Sequence, residues 1–432
     1  MKKHFWKRFA TGTLAAVMAL GMAIPAFATE EEEVTNPLTK YYSSEEFEKQ
    51  CTYTGNDLGA TYTKEKTTLR VWAPTALDVA VRLYRQGDPE VDPMPYDEVY
   101  MTADVNGIDV ASYLSSTLKY FGMWGILVLA MIPSIKCGIG PNFGVSLGIV
   151  CGLLGALLSI QFNIAPVVNA VLPGFGAWAS MLFAMLVSGV IAWLVGIGYG
   201  KLLNLVKGSE MTVTTYVGYS AIYLMCILWF RAPFSSGEII WPLGGVGVRN
   251  SVAMETSFGG LLNDFLGFNI GPVYIPTGIV LAVLVACLFV YLYFRSKTGI
   301  AITAAGANPT FARASGINVD KMRVKGIALS TVLGAIGIIV YTQGFGYLQA
   351  YTAPLAMGFI CVASVLIGGA TTTKATISHV LIGTFLYQGL IIFTPPVSNH
   401  LLAGTDISDT IRQIIQNGVI LYALAQAKGG SD

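Results

Sequence analysis

Nine stretches of this chain are long and apolar enough to cross a lipid bilayer, and they constrain its fold more than any other feature. They fall near 119–135, 143–161, 177–198, 213–230, 274–294, 324–342, 353–370, 375–394 and 411–427. A spanning helix needs about 20 predominantly apolar residues. Gly and Pro punctuate several of the runs, as membrane helices tolerate. Nine such segments cannot all hide in one soluble core. Composition agrees: 12% of the 432 residues are charged, against roughly 25% in a soluble protein. The formal net charge of +1 excludes a strongly basic nucleic-acid binder. The expected fold class is an all-α polytopic membrane protein of nine transmembrane helices, preceded by a signal peptide and a partial β-sandwich.

The charges are not spread evenly. Residues 1–107 hold 27 of the 51 charged side chains, 11 basic and 16 acidic, and the remaining 325 residues hold 24. Two unlike parts meet near Gly107. Four divisions are expected: residues 1–28, 29–49, 50–107 and 108–432. In the first, Lys2, Lys3, Lys7 and Arg8 form a positive cluster before the apolar run Phe9–Ile24. That run is short for a span and ends in Ala26-Phe27-Ala28, an export-signal cleavage pattern. An acidic tether follows, opening with Glu30–Glu33.

Within 50–107, Thr67–Trp72 and Asp78–Tyr84 are short, β-branched and aromatic, and Ala73-Pro74-Thr75-Ala76 breaks between them. This pattern predicts two strands of an antiparallel β-sandwich. The segments Tyr53–Thr63, Thr68–Ala76 (with its Val71-Trp72-Ala73-Pro74-Thr75-Ala76 run) and Val81–Tyr84 resemble the N-terminal β-sandwich of type I pullulanases. Asn106-Gly107 signals a hairpin, yet the chain then turns into a membrane span. The resemblance therefore implies a truncated module. A glycosidase barrel needs about 250 residues and a facing carboxylate pair. Residues 108–432 hold nine acids, none plausibly paired in a cleft. No catalytic residue and no enzymatic activity are expected. His4, His379 and His400 are too scattered for a metal site, and the six cysteines show no paired spacing,.

Orientation follows from the basic loops. Arg295, Lys297, Arg313, Lys321, Arg323 and Lys325 are six of the fifteen basic residues after position 107, and Asp320 is the one acid among them. The positive-inside bias places 295–325 in the cytoplasm. Counting spans puts 231–273 outside, the C-terminus inside and the β segment outside. The export signal gives the same result.

The basic loop is the most informative piece of the chain. Asn308-Pro309 reads as a helix start and Gly316 as its stop. The short helix between carries small residues, Ala312, Ala314 and Ser315. The run Ala305-Gly306-Ala307-Asn308-Pro309, with Ala312 and Ser315-Gly316-Ile317, resembles the coupling helix of ABC importer permeases of the simple-sugar (ribose-type) and branched-chain amino acid superfamily. Leu329–Gly337, Ala363–Ala370 and Val380–Leu386 extend the resemblance across about 113–428. It implies that Gly306, Asn308, Pro309, Ala312, Ala314, Ser315 and Gly316 form the docking element for cytoplasmic ABC ATPase subunits. It also implies a second permease subunit, an extracytoplasmic solute-binding protein and a plasma-membrane location. ATP would be used by the separate ATPase, since this chain has no phosphate-binding Gly-x-x-x-x-Gly-Lys-[Ser/Thr] loop. No cofactor is expected in the chain itself. The family's first helix is missing here, its place taken by the signal peptide and β segment.

Four polar residues within or beside spans, Asn142, Gln161, Gln343 and Gln388, are candidates for the translocation pathway. Intramembrane polar groups face a bundle interior or a cavity, and sugar hydroxyls need neutral donors and acceptors. Hydrogen bonding between helices is their other reading. Gly138–Gly144 reads either as unwound backbone lining the pathway or as a turn. A sugar is the expected solute, with nucleosides and branched-chain amino acids as alternatives.

Overall fold

The computed structural model describes residues 59–62, 67–71, 80–83, 97–100, 110–241, 247–271, 273–351, 353–401 and 408–429. The proposed signal peptide and acidic tether lie outside the described residues, as does the Asn106-Gly107 turn. The four N-terminal strands and the helices fall into two separate compact units.

The strand unit holds β1 (Gly59–Tyr62), β2 (Thr67–Arg70), β3 (Ala80–Leu83) and β4 (Asp97–Tyr100). β1 pairs antiparallel with β2, and β3 with β4. Among the described residues the two ladders do not join into a larger sheet. The two strands read from the sequence coincide with β2 and β3, while the sandwich expected around them is not formed among the described residues.

The helical unit begins with α1 (Val110–Leu129) and α2 (Met131–Lys136), joined through Ala130, whose own backbone is helical. A 3-10 turn at Phe143–Val145 leads into α3 (Ser146–Gln161). Short α4 (Ile164–Val171), long α5 (Gly176–Leu205) and α6 (Glu210–Arg231) follow. After a loop containing β5 (Ser251–Ala253), α7 (Leu261–Asp264), β6 (Phe268–Ile270) and β7 (Val273–Ile275) come α8 (Thr277–Arg295), α9 (Lys297–Ala307) and α10 (Pro309–Ala314). The chain closes with α11 (Val319–Phe345), β8 (Tyr347–Gln349), α12 (Ala353–Ile367), α13 (Ile377–Leu401) and α14 (Ser408–Gly429).

Seven described helices are long and apolar enough to span a bilayer, two fewer than the nine runs predict. The runs at 353–370 and 411–427 account for the difference. α12 ends at Ile367, where Gly368 and Gly369 (φ +94°) turn the chain, and at 15 residues it is shorter than the seven. α14 is helical but carries Arg412, Gln413, Gln416 and Asn417.

α11 is the central post, packed against α1, α3 and α5. Glycines make the approach close. A methyl at Gly148 of α3 would overlap the Thr331 carbonyl of α11. A methyl at Gly196 of α5 would lie 2.7 Å from the Ala328 Cα. Association inside a bilayer relies on van der Waals fit, which small residues permit.

The bundle has two distinct ends. At the basic end, Lys136 sits over the Phe294 ring at 4.3 Å, and α9 packs against α2. At the loop end, β5 pairs with β8, and the Ser115 hydroxyl accepts from the Tyr274 amide at 2.8 Å.

Candidate functional site

The segment 296–323 at the basic end is built by local capping. The Ser296 hydroxyl accepts from the Gly299 amide and starts α9. Asn308 is extended (φ −147°, ψ 93°), and its side chain accepts from the Phe311 amide at 2.9 Å. With Pro309 at the first helical position, this sets α10. Gly316 (φ +79°) takes the left-handed conformation that ends it,. Asn318 then accepts from the Lys321 amide at 3.0 Å and opens α11. Three helices meet at two sharp corners, each corner marked by an asparagine.

α10 is held from beneath. Ala312 is fully buried in a small cluster with Ala305 and Val319. Gly306 packs so closely on the end of α2 that a side chain there would overlap the Lys136 carbonyl. Ala312 thus seats α10 on α9 and α11, and Gly306 seats α9 on the end of α2. Asn308, Pro309, Ala314, Ser315 and Gly316 are exposed. Phe311, 67% exposed, is the large apolar side chain on the outward face. Sequence reasoning passed over it in favour of the small residues. A phenylalanine one position before an inward alanine was the available signal.

Ion pairs tie this element to the α5–α6 connection. Arg323 bonds Glu210, and both side chains are largely buried. Glu210 also accepts from the Gly208 amide at 2.8 Å. Lys207 meets Asp320 at 2.6 Å, Arg313 stands 4.0 Å from the same carboxylate, and the Asn204 amide donates to the Asp320 carbonyl. The sequence shows Lys207–Glu210 only as a loop, because its partners lie more than 100 residues away.

The four polar pathway candidates occupy different places, and none bonds to another. Asn142 is fully buried and fully partnered. It donates to the Ser330 hydroxyl at 3.1 Å and accepts from the Gly144 amide and the Tyr199 hydroxyl. Ser330 passes the chain of bonds to the Ala130 carbonyl at the α1–α2 junction. Asn142 is therefore a joint between helices, and the backbone of 139–142 is buried around it. Gln161 ties the end of α3 to the loop at Ser235 and Ser236. Gln343, in α11, accepts from the Leu262 amide at 3.0 Å, while its own amide nitrogen has no partner in the chain. Gln388, in α13, is 4% exposed, and its amide nitrogen is likewise without one. A chain of buried hydroxyls, Ser159–Ser180–Ser257, joins α3, α5 and the loop end at 2.7 and 2.6 Å. It was not among the residues singled out from the sequence.

The basic end thus presents a rigidly seated helix with one aromatic anchor, clamped by ion pairs to a neighbouring loop. Among the described residues, both acids of that end, Glu210 and Asp320, are engaged by basic side chains.

Residues 113–424 match the family model described as branched-chain amino acid transport system / permease component. The chain is 26% identical over 275 residues to the nucleoside ABC transporter permease protein NupC of Lactococcus lactis subsp. cremoris, covering 60% of this chain and 79% of that one. It is 23% identical over 308 residues to the autoinducer 2 import system permease protein LsrC of Yersinia pestis, covering 67% and 74%. A probable ABC transporter permease of Escherichia coli, YphD, is 27% identical over 150 residues, covering 35% and 43%.

Proposed function

We propose that this chain, which belongs to the permease-component family of the branched-chain amino acid transport system, forms the membrane pathway of an ATP-binding-cassette importer for a small polar solute. A sugar is the reading that the neutral polar groups of the spans support. A nucleoside is the second reading, favoured by the similarity to a nucleoside permease.

The observation that carries the mechanism is the exposed α10 at the basic end, with Phe311 outward and Ala312 locked inward. The positive-inside bias assigns that end to the cytoplasm, with the C-terminus. Cytoplasmic ATPase subunits dock there, with Phe311 entering a groove of the ATPase and Ala314, Ser315 and Gly316 allowing close approach. The Glu210–Arg323 and Lys207–Asp320 pairs carry displacement of α10 into α5, α6 and α11 together. A solute-binding protein delivers solute at the loop end, and a second permease subunit completes the channel. ATP-driven closure then shifts the population between outward- and inward-open states. The export signal at residues 1–28 would place the pullulanase-like strand segment outside. No residue of this chain is assigned a catalytic role, and ATP hydrolysis belongs to the partner.

The test is Phe311→Asp in the complex with its ATPase and binding protein. Solute-stimulated ATP hydrolysis should fall at least tenfold, the equivalent of about 1.4 kcal/mol of docking energy. Unchanged stimulation contradicts the docking assignment.

A further inference from the structure

α13 carries three neutral polar side chains on one face. Thr384, Tyr387 and Gln388 stand at i, i+3 and i+4, the spacing that places side chains together on a helix. They are 0%, 2% and 4% exposed. The Thr384 hydroxyl, the Tyr387 hydroxyl and the Gln388 amide nitrogen each lack a hydrogen-bond partner in the chain. Nine buried side-chain atoms have this property among the described residues, and three fall within these five positions.

The contrast with neighbouring hydroxyls is direct. Thr117 of α1 donates to the Tyr113 carbonyl, Ser364 of α12 to Ile360, and Thr394 of α13 to Leu390. Each satisfies itself one turn back along its own helix. Thr384 has the same option in the Val380 carbonyl and does not use it. An unpaired polar group buried away from water costs free energy. Three together, on a helix packed against α1 and α12, are arranged for something other than the fold.

The surroundings define what fits. Gly383 lies against the Ser364 carbonyl of α12, and a methyl on Gly389 would meet the Thr117 methyl of α1 at 3.5 Å. No Asp, Glu, Lys or Arg occurs between Lys374 and Asp406. A zwitterionic amino acid would bring a carboxylate and an ammonium, each needing a buried counter-charge. Hydroxyls and an amide instead match the donors and acceptors of a neutral polyol.

We propose that Thr384, Tyr387 and Gln388 form a binding facet for a neutral, hydroxyl-bearing solute: a free sugar or the sugar portion of a nucleoside. The inference rests on the permease reading above and narrows its substrate class.

The test uses the purified full chain and thermal unfolding with millimolar D-ribose, adenosine or L-leucine. Thr384→Val and Tyr387→Phe, singly and combined, remove the unpaired groups with little change of shape. Without solute, the variants should unfold at or above the wild-type midpoint, because an orphaned polar group has been removed. Ribose or adenosine should raise the wild-type midpoint, and leucine should not. The double variant should bind the effective probe about tenfold more weakly. The facet is overturned if neither neutral probe shifts the wild type, if the double variant responds equally, or if the variants are destabilised without solute. ATP-driven uptake in proteoliposomes with the ATPase and binding protein separates the two readings. A complex that moves leucine alone keeps the permease and refutes the facet. One that moves none of the three probes contradicts the permease reading itself.

Discussion

The helices α1–α2 and α8 are both membrane spans by length and composition, yet they do opposite things. In the most apolar stretch of Val110–Lys136, 83% of residues are buried, whereas in Thr277–Arg295 the figure is 33%. The buried span is among the least apolar of the seven and the outward-facing one is the most apolar. In water the order would be reversed. In a bilayer the surroundings are as apolar as any side chain, so hydropathy does not sort inside from outside. Small residues and hydroxyls do that sorting. α11, the central post, buries Ser330, Thr331, Thr342 and Gln343. α8 instead turns Leu281, Leu284, Val285, Leu288 and Phe289 outward.

That contrast can be broken most severely where charge is buried. Arg323→Ala leaves Glu210 without its basic partner in a largely buried position. Stability should fall by about 3–5 kcal/mol, because an uncompensated charge remains. Thermal unfolding in detergent reads this, and the double change Arg323→Met with Glu210→Leu should recover most of the loss. No recovery would mean that the pair does not act as a unit.

The next effect sharpens the distinction between inner and outer helices. Gly148→Leu drives a side chain into the Thr331 carbonyl and should cost about 1–3 kcal/mol or more by overpacking. Leu288→Ala, on the outward face of α8, should stay within about 0.5 kcal/mol. Equal effects at the two positions would show that the inner and outer faces have been exchanged.

The same physics explains how much could be read from the chain alone. Seven spans were legible because bilayer crossing imposes a length and a composition. α10 was legible because its caps are local: Asn308, Pro309 and Gly316 act within one turn of their own positions. The seating of Ala312, the partners of Glu210 and the bonding of Asn142 were not legible. Each depends on residues brought together from distant parts of the chain, such as Ser330 with Asn142. Polar residues in the spans were legible as unusual, but the sequence left open whether each faces a pathway or bonds between helices. Asn142 bonds to Ser330, Gly144 and Tyr199, whereas Gln388 lies beside two further unpaired groups, a difference that hydropathy alone does not show. The runs at 353–370 and 411–427 stand apart from the seven because α12 is short, ending at Ile367 before two glycines, and α14 carries Arg412, Gln413, Gln416 and Asn417.

The central claim is that α10 lies in the cytoplasm and meets the ATPase. Ser315→Cys, exposed at the C-terminal cap of α10, tests this in a Cys51→Ser, Cys226→Ser background, whose remaining cysteines at 137, 151, 287 and 361 are buried. A membrane-impermeant maleimide should label Cys introduced there in inside-out vesicles and not in right-side-out ones. Added ATPase subunit should protect it. Labelling confined to right-side-out vesicles, or labelling that the ATPase leaves unchanged, would contradict the account.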